Sequence, residues 1–484
     1  MFSGFSLHLQ GKYRLEGRER ISWINLINPR RGILVMGSPG SGKSWFIIEP
    51  LIRQLIEKGY ALFIYDFKYD RLSKLAYQLF EKYAGRYPGG TAFYCINFSD
   101  LTRSHRCNVL EPSTLRNVSD AIGASRTILM SINRTWAHQE GKFFVESPIN
   151  LLAAVIWYLR EYEGGRYCTL PHAIEMLQVP YNQLLTVLRT NPEVATLIQT
   201  FIDAYKNKSM EMLDGQIASA RIPLGRLASP ELYYVLTGND LTLDINNPAA
   251  PKILCLGGDP PRREALAPIL SLYIDQISKL SNAPDRHPCA LVCDEFATVR
   301  AANVLNTFAT ARSNNIIPIL AVQDLNQLRI QYTKEEADLV LNISGNFFCG
   351  QTGGETAKWV SERFPKVLKD RQSVSTNSGD TAVTITPHWE EVVTPATIAT
   401  LSSGEFVGVT ADDPDQEIFL KGFHAKIVRQ EVKEGKEGLP LIQRVGTAEV
   451  KKHFEQIRQE AVGLVGDELK KLTGDEAMVG LLIK

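Results

Sequence analysis

Residues 37–44, Gly37, Ser38, Pro39, Gly40, Ser41, Gly42, Lys43 and Ser44, spell G-x-x-x-x-G-K-S. The apolar run 33–36 precedes them and the apolar residues 45–48 follow. Buried strand, glycine-rich loop and helix start, in that order, form the phosphate-binding element of nucleoside triphosphatases. Gly37, Gly40 and Gly42 open backbone conformations closed to residues with a Cβ and bring N–H groups up to a polyphosphate, at which the new helix points its positive end. Lys43 then reaches the β- and γ-phosphates, and the Ser44 hydroxyl ligates Mg2+. A chance glycine turn holding Lys-Ser would need neither the strand nor the helix, so the chemistry indicated is that of a nucleoside triphosphatase.

Such chemistry needs a metal-holding carboxylate and a group that activates water. Residues 290–295, Ala-Leu-Val-Cys-Asp-Glu, are an apolar strand ending in two acids. Many strands end this way, but beside a phosphate loop the pair reads as Asp294 holding Mg2+ through its water shell and Glu295 polarising the attacking water. Residues 316–323 form another apolar run, tipped by Gln323. Ligands of a parallel sheet sit at the carboxyl ends of its strands. If this strand neighbours that of Asp294, Gln323 stands beside the γ-phosphate and senses or positions water; otherwise it caps the next helix.

Three strand ends of this kind must be held in one parallel sheet, and the chain supplies it. After the loop, apolar residues run helically to Lys58, with Gly59 as the stop and Pro50 set to kink or split the helix. Residues 61–66 and 91–96 are further strands around a helix at 72–83, and strands alternating with helices imply a parallel sheet covered on both faces. From about 115 to 241 only helices are read, at 143–159, after Thr169-Leu170-Pro171, at 192–205 and at 210–227. Between Glu140 and Asp244 stand 8 basic and 12 acidic residues. That surface suits protein docking better than a DNA backbone, although a solvated helical face has the same count. Strands resume at 252–256, 290–295, 316–323 and 346–350, with helices at 263–280, 301–312 and 355–364. Residues 365–400 read as a hairpin or excursion, 406–410 and 417–420 as a closing strand pair, and 447–484 as a charged helical tail. Residues 1–32 carry short alternating segments and a basic cluster of Arg18, Arg20, Arg30 and Arg31, either a solvated approach to the first core strand or a lipid-facing segment.

Composition bounds the rest. A chain of 484 residues holds two to four domains. Its 53 basic residues balance 53 acidic ones, so a DNA-binding role requires the basic residues to be segregated onto one surface or pore. The seven cysteines form no C-x-x-C pair and lie in apolar runs, as small buried hydrophobes of a reducing compartment do. Residues 149–159 fall short of the ~20 apolar residues that span a bilayer and read as a core helix. As written, the chain reads as soluble and intracellular.

The loop, I-Y-D-F-K at 64–68, F-F-V-E-S-P-I-N-L-L at 143–152, V-C-D-E-F at 292–296 and A-R-S-N-N-I-I-P-I-L-A-V-Q-D at 311–324 together resemble the TraG-type coupling proteins of conjugative and mobilisable elements. These are distant relatives of the FtsK/HerA translocases; the likeness covers roughly residues 20–430 and is strongest to Bacteroides-type members. The resemblance implies an α/β fold, a RecA-like P-loop ATPase with a central, mostly parallel sheet and an inserted all-α domain. It divides the chain at 1–114, 115–241, 242–430 and 431–484, as first ATPase part, helical insert, second ATPase part and tail. It implies ATP and Mg2+ as cofactors and a homo-hexamer around a DNA channel. It also implies a relaxase and a type IV secretion channel as partners, on the cytoplasmic side of the bacterial inner membrane. Lys43 and Ser44 match the Walker A pair, Asp294 and Glu295 the Walker B pair, Gln323 the glutamine motif, and Arg312 an arginine that reaches a neighbouring subunit's nucleotide. Family members usually begin with two membrane-spanning helices that this sequence lacks, which implies a cytosolic part or a soluble relative. A chromosomal FtsK/HerA-type translocase and a nucleotide-gated receptor that docks proteins without pumping DNA are the alternatives.

Overall fold

The computed structural model describes residues 5–377, 380–430 and 438–474. Its strands are β1 Leu7–Leu15, β2 Arg18–Leu26, β3 Ile33–Met36, β4 Ala61–Asp66, β5 Ala92–Ile96, β6 Lys252–Gly257, β7 Cys289–Cys293, β8 Ile316–Val322, β9 Asn346–Cys349, β10 Lys366–Asn377, β11 Asp380–Glu391, β12 Glu405–Val409 and β13 Gly422–Ile427. All but β10 and β11 join one sheet in the order β2-β1-β13-β12-β9-β3-β8-β7-β4-β6-β5. From β9 to β5 every pairing is parallel, and from β9 outward to β2 every pairing is antiparallel.

The parallel strands inside the sheet are buried along their length, unlike the half-buried edge strand β5, which is why they read as unbroken apolar runs. Successive residues face opposite cores. Val35, Leu62 and Ile64 pack with the helices Glu49–Glu57 and Arg71–Tyr83 through Leu51, Leu55, Leu72 and Leu75. Leu34, Phe63 and Leu291 pack on the other face with the helices Val118–Ile132, Arg263–Ser281 and Ala302–Thr310. That second core continues into the helices between β5 and β6. The helix Phe143–Glu161 lies within it, with Ile149 and residues 151–159 buried, so its apolar run is packing surface. The long helix Thr447–Gly474 closes over the same helices through Ile457, Leu464 and Val465, and Glu460 meets His172 Nε2 at 3.1 Å. All seven cysteines are buried and unpaired.

Pro50 acts as its missing N–H requires. The chain winds in wider π turns over Lys43–Ile48 and becomes α-helical from Glu49, leaving Pro50 in the first α turn; Gly59, at φ +76°, follows the C-terminus. Three expectations need correction. The helix read at 192–205 is two, Pro192–Leu197 and Gln199–Lys206, because the fully buried Ile198 between them leaves the helical conformation. Residues 417–420 are no strand; Phe419 and Leu420 stand almost wholly exposed, and the partner of β12 is β13. The inward and outward alternation of Phe423, His424, Ala425, Lys426 and Ile427 makes that strand the better partner. Residues 7–26 are more than an approach to the core. They form an antiparallel hairpin, turning at Glu16 and Gly17 with φ of 51° and 74°, and β1 docks on β13. The tail beyond residue 474 lies outside the described residues.

Candidate functional site

β3, β8 and β7 lie side by side in the sheet, with Met36 level with Val322 and Leu320 level with Cys293. The turns that follow them therefore open on one edge, and the condition set for Gln323 is met. The loop after β3 closes tightly. A Cβ on Gly37 (φ +147°) would come 2.7 Å from Ser41 Oγ, and one on Gly42 (φ +93°) would come 2.5 Å from the Phe46 ring. Its flanks are pinned, with the Ser38 N–H donating to the Gln351 carbonyl at 2.7 Å and the Gly404 N–H to the Ser41 carbonyl at 3.0 Å.

Within this frame Lys43 is buried and its Nζ donates to the Gly37 carbonyl at 2.5 Å. Burial holds its pKa below the ordinary lysine value, partly offset by Glu295 and Asp294. Ser44 Oγ donates to Asp294 Oδ1 at 2.7 Å. Burial raises the Asp294 pKa, opposed by that hydrogen bond and by Lys43. Gln323 Nε2 donates to Glu295 Oε2 at 3.0 Å, while the other carboxylate oxygen of Glu295 is buried without a hydrogen-bond partner. Burial pushes Glu295 up to about 7. A carboxyl poised near neutrality, held by an amide and with one oxygen left over, is placed to take a proton from water. The hydroxyl of Ser44 and the carboxylate of Asp294 are hard oxygen donors. Among the described residues no group of three or more His, Cys, Asp or Glu could hold a metal by itself. The pair therefore fits Mg2+ bound in part by phosphate and water, the mode that ion prefers.

These residues line one cleft of about 510 Å³. It also takes in Asp66, Lys68, Arg71, Trp45, Ser403 and Arg429, to which sequence reasoning gave no role. Asp66 accepts from the Ser73 N–H and hydroxyl, each at 2.9 Å, and burial pushes it up to about 6. Asp66 and Lys68 stand just where β4 ends, the same signal that singled out Gln323. Arg429 had none, since only the fold carries it to the loop. Arg312 is not brought to the cleft. It lies on the exposed turn before β8, at the opposite edge of the sheet, beside Asn28, Arg31, Asp412 and Asp413.

Fold and cleft together define a RecA-like P-loop protein with an all-α domain. The chain superposes on a bacterial conjugative coupling protein, TrwBdeltaN70, with a TM-score of 0.63 over 84% of this chain and 86% of that one, at 16% identity. The plasmid coupling protein TrwB with ADP and Mg2+ gives 0.62 over 84% and 87%, and TrwB with a non-hydrolysable ATP analogue gives 0.61 over 86% and 89%, each at 16% identity. Residues 288–403, from the start of β7 to just before β12, match the family described as the TraM recognition site of TraD and TraG. In that segment the chain is similar to TraG and TraD, and its fold is similar to that of TrwB. No curated protein sequence matches the chain.

Proposed function

We propose that the chain is the ATP-hydrolysing motor of a conjugative coupling protein. It hands a relaxase–DNA complex to a type IV secretion channel and drives the DNA through, at the cytoplasmic face of the inner membrane and as a ring of copies, a hexamer in this reading. The observation that carries the ATPase reading is the convergence of Lys43, Ser44, Asp294, Glu295 and Gln323 on one cleft. The TraG/TraD segment and the TrwB fold support the coupling role, and the nucleotides and Mg2+ bound in TrwB support ATP and Mg2+ as ligands.

In this reading Gly37 to Ser44 cradle the phosphates with backbone N–H groups, and Lys43 leaves the Gly37 carbonyl for the β- and γ-oxygens. Ser44 and Asp294 hold Mg2+, which when bound neutralises charge on the phosphates. Glu295 takes the proton of the attacking water, held in place by Gln323. Arg312 of one copy serves the nucleotide of the next. DNA is held by its phosphates, so binding is independent of sequence and weakens steeply with salt.

The test is ATP turnover by the parent chain with and without single- and double-stranded DNA, at rising salt. We expect stimulation by DNA of any sequence, lost at moderate salt, and no turnover by Lys43→Ala at any DNA concentration. Turnover indifferent to DNA, or DNA binding that is sequence-selective and insensitive to salt, would overturn the motor in favour of a receptor that only docks protein.

A further inference from the structure

Trp45 follows the Lys43-Ser44 pair directly, yet 39% of its surface is exposed while Ile47 and Ile48 on the same helix start are fully buried. Core packing does not account for a large ring left in the wall of a polar cleft. Two guanidinium carbons lie against it, that of Arg71 at 4.1 Å and that of Arg429 at 4.0 Å from the ring centroid. Two such groups so close to one ring fit only on opposite faces, so the indole is sandwiched. The two are held unequally. Arg71 Nη2 is 2.6 Å from Glu49 Oε1, whereas among the described residues Arg429 makes no ion pair.

The ends of the cleft differ in chemistry. Asp294, Glu295 and Gln323 lead into Phe296 and Leu325, which belong to the core on one face of the sheet. Trp45 and Arg71 rise from the helices that carry Ile47 and Leu72, which belong to the core on the other face. A nucleotide whose phosphate chain is gripped at Lys43, with its terminal phosphate at Glu295, directs whatever follows its first phosphate toward Trp45. We propose that Trp45 is the nucleobase platform of this cleft. The base stacks on the ring face that Arg429 covers, and Arg71, tied to Glu49, backs the other. This rests on the nucleotide reading above and adds how the nucleoside half is held. Stacking reads no hydrogen-bond pattern, because every base has a π face. The platform therefore accepts ATP and GTP alike and distinguishes both from a bare polyphosphate.

The experiment is calorimetric binding of ATP, GTP and tripolyphosphate, each with Mg2+, to the full chain and to Trp45→Ala and Trp45→Phe. We expect Trp45→Ala to weaken ATP and GTP by roughly 10- to 100-fold, the range set by base–aromatic stacking. Tripolyphosphate should bind as in the parent, and Trp45→Phe should keep most of the nucleotide affinity. Tryptophan emission should change when ADP is added to the parent and not when it is added to Trp45→Phe. Equal weakening of ATP and tripolyphosphate by Trp45→Ala would show a ring that merely shapes the loop, and unchanged ATP affinity would show a ring that touches no base; either overturns the platform. A parent chain that binds neither ATP nor tripolyphosphate would overturn the nucleotide reading itself, and the platform with it.

Discussion

Glu295 concentrates the chemistry of the cleft, because burial and two neighbours pull on it in different ways. Burial raises its pKa to about 7, while Lys43 and the Gln323 amide restrain the rise. An unfolded glutamic acid titrates near 4.5. Between those values the folded chain keeps a proton that the unfolded chain has released. The contribution of this carboxyl to stability is therefore complete below pH 4.5 and lost as pH rises through 7. Glu295→Gln has no such titration, so we expect its thermal midpoint to gain on the parent's from pH 5 to about pH 7 and to level off above, as scanning calorimetry at fixed salt would register. Its ATP turnover should fall by 10²- to 10⁴-fold, the usual worth of a general base, with ATP still bound. In the parent, kcat/KM should rise with pH on a limb centred near 7, where the free protein's base becomes ionised. A variant that hydrolyses ATP at the parent rate would remove Glu295 from this role. Lys43, Ser44, Asp294 and Gln323 were legible because each stands at a fixed offset from an apolar run. Trp45, Arg71 and Arg429 were not, since their joint position depends on a helix packing beside the loop and on a strand that returns from the far end of the chain.

At the scale of elements, the parallel half of the sheet was legible, and of the antiparallel half only β12 was. A strand buried on both faces is an apolar run bounded by turns, as β3, β7 and β8 are. A strand of the antiparallel half shows only a two-residue alternation, which names neither its partner nor its register, and β1, β2 and β13 are of this kind. The same distinction predicts which elements can be removed. In the hairpin of β10 and β11, Leu368 and Trp389 face one another in register and both are exposed. β10 and β11 form a two-stranded sheet of their own, and replacing residues 368–389 by a short Gly-Ser turn leaves the central sheet whole. We expect it to move the thermal midpoint by less than about 2 °C and to leave ATP affinity as it was, and a large loss of either would mean that the hairpin packs on the core. The helix Thr447–Gly474 is the opposite case. Ile457, Leu464, Val465 and Leu472 are buried in it, each worth about 1.5–3 kcal/mol. Stopping the chain at residue 446 removes an amount comparable to the whole stability of a domain, about 5–15 kcal/mol. We expect a new low-temperature unfolding transition and dye binding to the uncovered helices, with a single unshifted transition counting against that packing.

At the scale of the whole molecule, the place of Arg312 bears on whether one chain makes a complete site. It is exposed, among the described residues it makes no ion pair, and it sits at the amino edge of the sheet while the phosphate loop opens at the carboxyl edge. No rearrangement of side chains carries it to its own cleft. If it acts on a nucleotide, that nucleotide belongs to another copy, and each site is then built from two chains. Activity should accordingly rise faster than linearly with protein concentration as rings assemble, so that turnover per chain increases. Arg312→Ala should bind ATP normally and lose turnover by on the order of 10³-fold, the effect of removing an arginine that stabilises transition-state charge. Mixing makes the test specific. Lys43→Ala has a dead loop and an intact arginine, Arg312→Ala the reverse, so an excess of the first should restore part of the activity of the second, although neither turns over ATP alone. A surface arginine of ordinary kind contributes about 1 kcal/mol or less to stability and nothing to a neighbour. It would give turnover per chain that is flat with concentration, a variant as active as the parent, and mixtures that only average their components.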